Sequence, residues 1–387
     1  MKARLLAGAI SVALTCTNAR VFADSWSVQP LIGLAGVYAS NPELQTGNYT
    51  SETRAAVLVD LPASYDLDIW HFSLVPRARY SDESGYSSLA SDYYHLDAAA
   101  RMTTDIDSLS IDASFYRDSS LLFAGETVNG IGVRRDTTVG DANWQRTLSE
   151  RSVFQVDLST VRTLYDTNGI ETGLLDYRYT SFSPTYIYAL TERASLKLLG
   201  SISRYYSLDG FTASDSRNLQ VGLDHHLSEL WLLSANAGYS KSTNEIDLFG
   251  FTVKGDQNGA VYALNLTRKT EKLNLSMGVS RALAPTGFAF LSRQDKVTGQ
   301  VNFVYTERWT LSADATWERL SEPVVGGGSS DRRFYVGDLS AAWRWTENWT
   351  ATMRLSKIGQ QYTQPVVKTT SNGLFLEISR QFYRTNN

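Results

Sequence analysis

Short polar turns recur along the chain at a nearly constant spacing of about 40 residues. Two turns lie around Asp66 and Asp105, and six more are centred on Glu150, Glu192, Glu229, Glu271, Glu307 and Glu347. Between turns, two alternating runs of about ten residues flank a longer polar segment. Each repeat is therefore one long β-hairpin. A propeller blade is disfavoured, because it needs four short strands in the same length.

The alternating runs have one apolar and one polar face. After the turn at Glu271, apolar residues occupy every second position from Leu273 to Val279. Side chains of a strand point to opposite faces with period two, so a soluble sandwich shows the same pattern. Strand length separates the two folds, since about ten tilted residues span a bilayer while ordinary strands average five or six. The pattern predicts an antiparallel transmembrane β-barrel, in which an unremarkable mean hydropathy of −0.23 is expected.

Composition excludes several other classes of protein. No apolar run reaches the roughly 18 residues of a membrane helix. The single cysteine, Cys16, rules out a disulfide scaffold. With 36 Lys+Arg against 40 Asp+Glu, a net charge of −4 and no basic block, nucleic acid is not expected as a partner.

The first 23 residues have the features of a secretory signal peptide. Lys2 and Arg4 precede an apolar stretch over residues 5–14, and Val21 and Ala23 are small residues suited to a cleavage site before Asp24. A lipoprotein site at Cys16 is the alternative. We therefore expect Sec-dependent secretion, with residues 24–387 forming the barrel.

Tryptophans mark one end of the predicted hairpins. Eight of the nine lie at one end of the proposed barrel, among them Trp70, Trp144, Trp231, Trp309, Trp345 and Trp349. Indole rings favour the headgroup region, so this placement predicts an aromatic girdle at one membrane interface. The alternative is a set of apolar plugs at one end of a soluble core.

The turns also predict the number of strands. Eight short periplasmic turns plus a strand at each end give an up-and-down barrel of 18 strands around an aqueous lumen. Pro184 interrupts the alternation, which leaves 16 strands as the alternative. Nine longer outer loops are expected near residues 42–52, 81–92, 117–131, 164–174, 206–216, 243–257, 284–294, 321–332 and 362–370.

Strand parity predicts which charged side chains face the lumen. The candidate lumen-lining residues are Arg77, Arg79, Arg101, Asp157, Asp314, Asp338, Arg344 and Arg354, with Asp97, Asp112 and Glu377 beside them. One interpretation is an arginine track that passes anions. The other is a lattice of cross-strand ion pairs that stiffens the wall. Inward Tyr116 and Tyr205 are candidates for stacking on sugar rings.

Nothing in the sequence favours catalysis. The four histidines, His71, His95, His225 and His226, lack metal-ligand spacing, and no G-x-S-x-G motif is present. We expect no enzymatic activity, no metal and no cofactor.

Three segments resemble the outer-membrane barrels associated with exopolysaccharide export loci, including those near exosortase systems. They are residues 115–120 (FYRDSS), 132–136 (GVRRD) and 144–151 (WQRTLSER). The resemblance implies a passive conduit in the outer membrane of a Gram-negative cell, for exopolysaccharide or otherwise for small hydrophilic solutes. Outer-membrane lipid and periplasmic export components are the expected partners. A structural or adhesive barrel that binds a partner or surface glycan through its outer loops is the alternative function.

Overall fold

The computed structural model of the chain is a β-barrel. It describes residues 26–47, 50–82, 92–120, 133–167, 173–248, 251–288, 291–323, 329–363, 366–382 and 384–385. The predicted signal peptide lies outside these residues. Within them, no helix is both long and apolar enough to cross a bilayer.

The described strands are β1 (Trp26–Val28), β2 (Leu31–Ala39), β3 (Glu52–Asp60), β4 (Ala63–Leu67), β5 (Trp70–Asp82), β6 (Asp92–Thr103), β7 (Asp107–Ser119), β8 (Arg134–Ser149), β9 (Ser152–Asp166), β10 (Tyr177–Thr191), β11 (Ala194–Ser207), β12 (Thr212–His226), β13 (Trp231–Leu248), β14 (Phe251–Lys269), β15 (Leu273–Pro285), β16 (Leu291–Val304), β17 (Trp309–Pro323), β18 (Ser329–Arg344), β19 (Trp349–Thr363), β20 (Val366–Gln381) and β21 (Arg384–Thr385).

These 21 segments form one closed antiparallel sheet of 18 barrel strands. Segments β1 and β2 form one interrupted strand, as do β3 with β4 and β20 with β21, because each pair keeps one register against its neighbours. The barrel closes where β2 pairs with β20 and β1 with β21. The predicted 18 strands are thus confirmed, and the alternative of 16 is wrong.

Proline accounts for the interruptions at this closing seam. The facing residue donates its backbone N–H to each proline carbonyl: Phe382 to Pro30 (2.7 Å), Gln29 to Pro62 (3.0 Å) and Leu61 to Pro76 (3.0 Å). The return bond is missing in all three pairs, because proline has no N–H. The seam therefore lacks one backbone hydrogen bond in each of three strand pairs that lie side by side.

Pro184 does not break its strand. It lies within β10 opposite Val156 of β9, and on the β11 side the register continues from Phe182 to Thr185. The sequence interpretation that Pro184 marks a possible missing strand pair is therefore corrected.

The eight predicted tight turns are all present, but several predicted outer loops are wrong. Strands continue into them, so that β11 and β12 are joined by residues 208–211, β13 and β14 by 249–250, and β19 and β20 by 364–365. Among the described strands, β13 and β14 are the longest, at 18 and 19 residues. Their pairing continues from Gly238↔Val261 out to Leu248↔Phe251, whereas the last pair that β14 makes with β15 is Tyr262↔Arg281.

The outer face of the barrel carries the apolar belt. Leu34 is 65 % exposed, and Leu219 and Leu339 are exposed to a similar degree. Near the tight turns, Trp309 stacks on Trp343 with ring centroids 5.8 Å apart, and Trp345 stacks on Trp349 at 5.9 Å. The other predicted girdle residues lie in the same half of their strands: Trp70 packs on Phe72 (5.8 Å), Trp144 on Phe154 (6.3 Å), and Trp231 beneath Arg268 (5.5 Å).

Candidate functional site: the lumen wall

The inner face of the barrel holds the charged side chains. Along β5, Phe72 and Leu74 are exposed on the outer face, so Arg77 and Arg79, at odd distances from them, point inward. The same parity places the other sequence-predicted lumen residues on the inner face, namely Arg101, Asp157, Asp314, Asp338, Arg344 and Arg354.

Several inward charges form pairs between neighbouring strands. Arg77 Nη1 lies 3.3 Å from Asp97 Oδ2, and Arg101 Nη2 lies 3.9 Å from Asp112 Oδ1. Further cross-strand pairs are Arg135–Asp118 (2.9 Å), Lys197–Asp224 (2.5 Å) and Lys296–Glu318 (2.8 Å). These contacts have the geometry of an ion-pair lattice around part of the wall.

Not every predicted lumen residue joins that lattice. Asp157 accepts hydrogen bonds from the amides of Gln155 (3.0 Å) and Asn143 instead of pairing with a cation. Asp314 and Asp338 face each other directly across β17 and β18. Two ionised carboxylates in this position repel each other.

Two inward arginines have aromatic instead of acidic partners. The guanidinium of Arg79 lies over the ring of Tyr93 at 5.8 Å, and that of Arg354 lies over Phe375 at 4.7 Å. Arg54 and Arg354 are both within electrostatic range of Arg79. No described carboxylate forms an ion pair with Arg79 or Arg354. Within the described residues, no ion pair neutralises these two inward charges.

A small apolar cluster of inward residues lies beside these arginines. Ala35 and Ala56 pair across β2 and β3 and pack with Phe375 of β20. The guanidinium of Arg354 lies over the Phe375 ring of this cluster. We call Arg54, Arg77, Arg79 and Arg354 the arginine wall.

A hydrogen-bonded network continues from the arginine wall onto β6 and β7. Tyr93 Oη lies 2.9 Å from His95 Nδ1, and His95 Nε2 lies 2.8 Å from Asp97 Oδ1. Ser114 Oγ donates to the same carboxylate at 2.7 Å. These contacts fix the orientation of Asp97 and Tyr93, which in turn position Arg77 and Arg79.

The segment between β15 and β16 bends into the lumen. Tyr205 Oη donates to the carbonyl of Thr286 at 3.1 Å, and Leu175 N donates to the carbonyl of Gly287 at 2.8 Å. On the other side, the guanidinium of Arg332 on β18 lies 3.7 Å from the ring centroid of Phe288. Since β12, β13 and β14 separate β11 from β15 in the sheet, these contacts cross the barrel interior. We call residues 286–288 the crossing segment.

The sector behind the crossing segment is filled. Leu291 is fully buried against Tyr177 and Tyr205. On β12 and β13, the inward hydroxyls of Ser214 and Ser242 are also fully buried. The arginine wall, on β3, β5 and β19, lies on the other side of the barrel from this packed sector.

The structure corrects one sequence-predicted binding residue. Tyr205 points inward as predicted, but it is buried beneath Thr286 and Leu291 and cannot stack on a sugar ring. Tyr116 lies beside His95 at 5.8 Å and under the guanidinium of Arg135 at 5.5 Å.

Sequence reasoning missed three contributors to the lumen. Arg54 and Arg135 follow the same parity as the predicted residues and were open to the same argument. The crossing segment carries a turn signal in Pro285, Thr286 and Gly287, which predicted a loop, but nothing in those residues indicates that the loop turns inward. Within the described part of the chain, no three His, Cys, Asp or Glu side chains are grouped as a metal site requires.

Several solved structures share the architecture of this chain. The ferric citrate transporter FecA in its unliganded form aligns with a TM-score of 0.51 at 9 % identity, covering 94 % of this chain and 80 % of FecA. OccK1 (OpdK) of Pseudomonas aeruginosa aligns at 0.49 and 10 % identity, covering 94 % of this chain and all of OccK1 (100 %). OccK2 (OpdF) of the same organism, in complex with glucuronate, aligns at 0.47 and 11 % identity, covering 93 % and 98 %.

These identities show the fold alone, which is that of an outer-membrane β-barrel. No protein-family model matches the chain, and no curated protein sequence matches it significantly.

Proposed function

We propose that the protein is a passive outer-membrane channel for small hydrophilic solutes, with a preference for anions. The observation that carries this proposal is the pair of inward arginines, Arg79 and Arg354, which lie over aromatic rings and form no ion pair with a described carboxylate. A closed barrel of 18 strands encloses an aqueous lumen through which such a solute passes.

The arginine wall suits transient binding. A guanidinium offers a carboxylate or phosphate two parallel N–H donors, and the aromatic ring beneath it keeps that fork oriented. Nearby Asp338 and Glu377 lie within electrostatic range of Arg354. Conduction requires that a solute binds well enough to enter the channel but weakly enough to leave it. These carboxylates lower the affinity of the arginine wall for a bound anion.

Removing the two unpaired charges tests the proposed selectivity. In Arg79→Gln/Arg354→Gln, the chloride-to-potassium permeability ratio is expected to fall about fivefold, since a charge a few ångströms from a solvated ion contributes about 1 kcal/mol. The reversal potential of purified protein in a planar bilayer under a potassium chloride gradient measures this ratio.

Arg178→Gln is the matched control. Arg178 lies on the outer parity of β10 and is exposed, so its loss removes one positive charge without changing the inner wall. Unchanged selectivity in the lumen variant, or an equal loss in the control, would refute the assignment of the arginine wall. Absence of any channel current would refute the proposed function itself.

Export of exopolysaccharide remains a prediction from the sequence resemblance. A polymer would have to pass beside the crossing segment, through the part of the lumen bounded by the arginine wall. We therefore favour small solutes. The alternative of an adhesive barrel loses support, because the connections at 208–211, 249–250 and 364–365 leave less loop surface than the sequence predicted.

A further inference from the structure

An apolar trough crosses the outer face of five neighbouring strands, β15 to β19. Its floor is a row of cross-strand partners that runs from Met277 through Gly299, Ala315 and Gly337 to Lys357. Three strands contribute no more than a methyl group to this row, which makes it a depression in the belt. Cavities of about 770 Å³ and 680 Å³ lie along its two sides.

Large apolar side chains form the walls of the trough. Val297, Trp317 and Tyr335 stand on the side nearer the outer ends of the strands. Leu339 and Leu355 stand on the side nearer the tight turns. The trough is therefore a bounded channel in the surface and not merely a flat patch of small residues.

A cation closes one end of the trough. Lys357 is exposed on the outer face of β19, and no described carboxylate forms an ion pair with it. Asn372, its cross-strand partner on β20, is also exposed. The Tyr335 ring lies over Gly359, where a Cβ would come within 2.3 Å of Tyr335 Oη. An ammonium, an amide and a phenol are thus neighbours at one end of an apolar surface. A charge in such surroundings has an unfavourable solvation free energy unless a counter-ion binds to it.

The row descends from this cation toward the tight turns. Lys357 follows Trp349, the first residue of β19, by eight positions; Ala315 follows Trp309 of β17 by six, and Met277 follows Leu273 of β15 by four. With about 3.3 Å per residue and a tilt near 40°, eight positions raise Lys357 by roughly 20 Å. That is close to the upper margin of an apolar band about 25 Å tall.

We propose that the trough binds one acyl chain of a phosphorylated lipid of the outer leaflet, with the phosphate at Lys357 and the chain descending to Met277. Four steps between strands of about 4.8 Å make the trough about 19 Å long. This length accommodates a chain that spans one leaflet, about half of the 30 Å hydrocarbon core. The inference rests on the outer-membrane placement in the proposed function and does not depend on conduction.

Native mass spectrometry of the detergent-solubilised protein tests the proposal, with bisphosphorylated lipid A and its dephosphorylated form as probes. Lys357→Gln is expected to lower occupancy by lipid A about fivefold, the effect of one cation near a membrane surface. Gly299→Phe is expected to lower it at least as much by filling the floor. A Cβ at Gly299 meets nothing within 4 Å, so the barrel accommodates the ring.

Two matched controls lie outside the trough. Lys368→Gln removes an exposed lysine of β20, and Gly36→Phe adds a ring on β2 at a glycine whose Cβ would also meet nothing within 4 Å. The proposal requires both trough variants to lose lipid A, both controls to retain it, and dephosphorylated lipid to bind the native protein as weakly as lipid A binds Lys357→Gln. Any other pattern overturns it. Normal conductance in the trough variants separates this result from a failure of the channel.

Discussion

Two consecutive arginines of β8 have opposite environments. Arg135 donates two 2.9 Å hydrogen bonds to Asp118, and both side chains are almost fully buried, at 3 % and 7 % exposed. Arg134 pairs with Asp166 at 2.5 Å, but there the side chains are 44 % and 33 % exposed. The two Arg–Asp ion pairs, on opposite faces of β8, are therefore expected to contribute differently to the free energy of unfolding.

Replacing each arginine by leucine compares the contributions of the two ion pairs to stability. Arg135→Leu leaves a buried carboxylate without its partner and should lower the free energy of unfolding by about 3 kcal/mol. Arg134→Leu should lower it by less than about 1 kcal/mol, because exposed pairs are weak. Urea unfolding in detergent micelles, followed by tryptophan fluorescence, measures both.

A double variant, Arg135→Leu/Asp118→Leu, provides the internal control. Removing the orphaned carboxylate should restore much of the loss, since an apolar pair replaces a buried ion pair at little cost. Equal losses in the two single variants would show that burial does not set the strength of the Arg135 pair.

For single residues, the sequence predicts the face of the sheet toward which a side chain points better than it predicts the residue that the side chain contacts. Parity alone indicated which way Arg77 and Arg354 point, because period two is a property of every strand. It could not indicate that Arg77 pairs with Asp97 while Arg354 rests on Phe375. Partners depend on the register between strands, which the sequence of either strand leaves open.

At the closing seam, three proline pairs each keep only one of their two ladder hydrogen bonds. Pro76→Val restores a backbone N–H opposite the Leu61 carbonyl, in a pair that now has only the bond from Leu61 N to Pro76 O. One regained hydrogen bond should raise the free energy of unfolding by about 1 kcal/mol. The same urea titration measures it, with Pro184→Val, away from the seam, as comparison. A decrease at Pro76 would mean that the proline ring contributes more than the missing bond.

Strand ends were predictable only inside the apolar belt. The tight turns adjoin membrane-facing runs, so the loss of alternation locates them. Beyond the belt, nothing requires an apolar face. The β13–β14 ladder continues with Lys241, Glu245 and Lys254 on the outer face and with Ser242 and Asn244 on the inner face. Their composition resembles a loop, which is why residues 243–257 were wrongly expected to be one.

The whole barrel has an asymmetric interior. Among the described residues, serines and tyrosines pack one side behind the crossing segment, while the arginine wall lies on the other side. The crossing segment follows β15 and bends inward through contacts with Tyr205 of β11 and Arg332 of β18, which are remote from it in sequence. No local pattern in residues 285–291 could predict it.

Displacing the crossing segment should widen the channel. In Gly287→Val, the new Cβ would lie 2.6 Å from Tyr165 Oη and 2.8 Å from Leu174 Cδ2, so the segment must move away from β9. We expect a larger single-channel conductance in planar bilayers. Gly255→Val, where a Cβ meets nothing within 4 Å, should leave conductance at the native value. An unchanged conductance in Gly287→Val would place the narrowest point elsewhere.

The long β13–β14 hairpin has a practical consequence for engineering. Beyond Tyr262 its pairing with β15 has ended, so β14 is held on one side only. Residues added symmetrically to the two strands, in steps that preserve the side-chain period, would lengthen the hairpin without shifting the register of β15. This makes the hairpin a suitable position for inserting a foreign epitope.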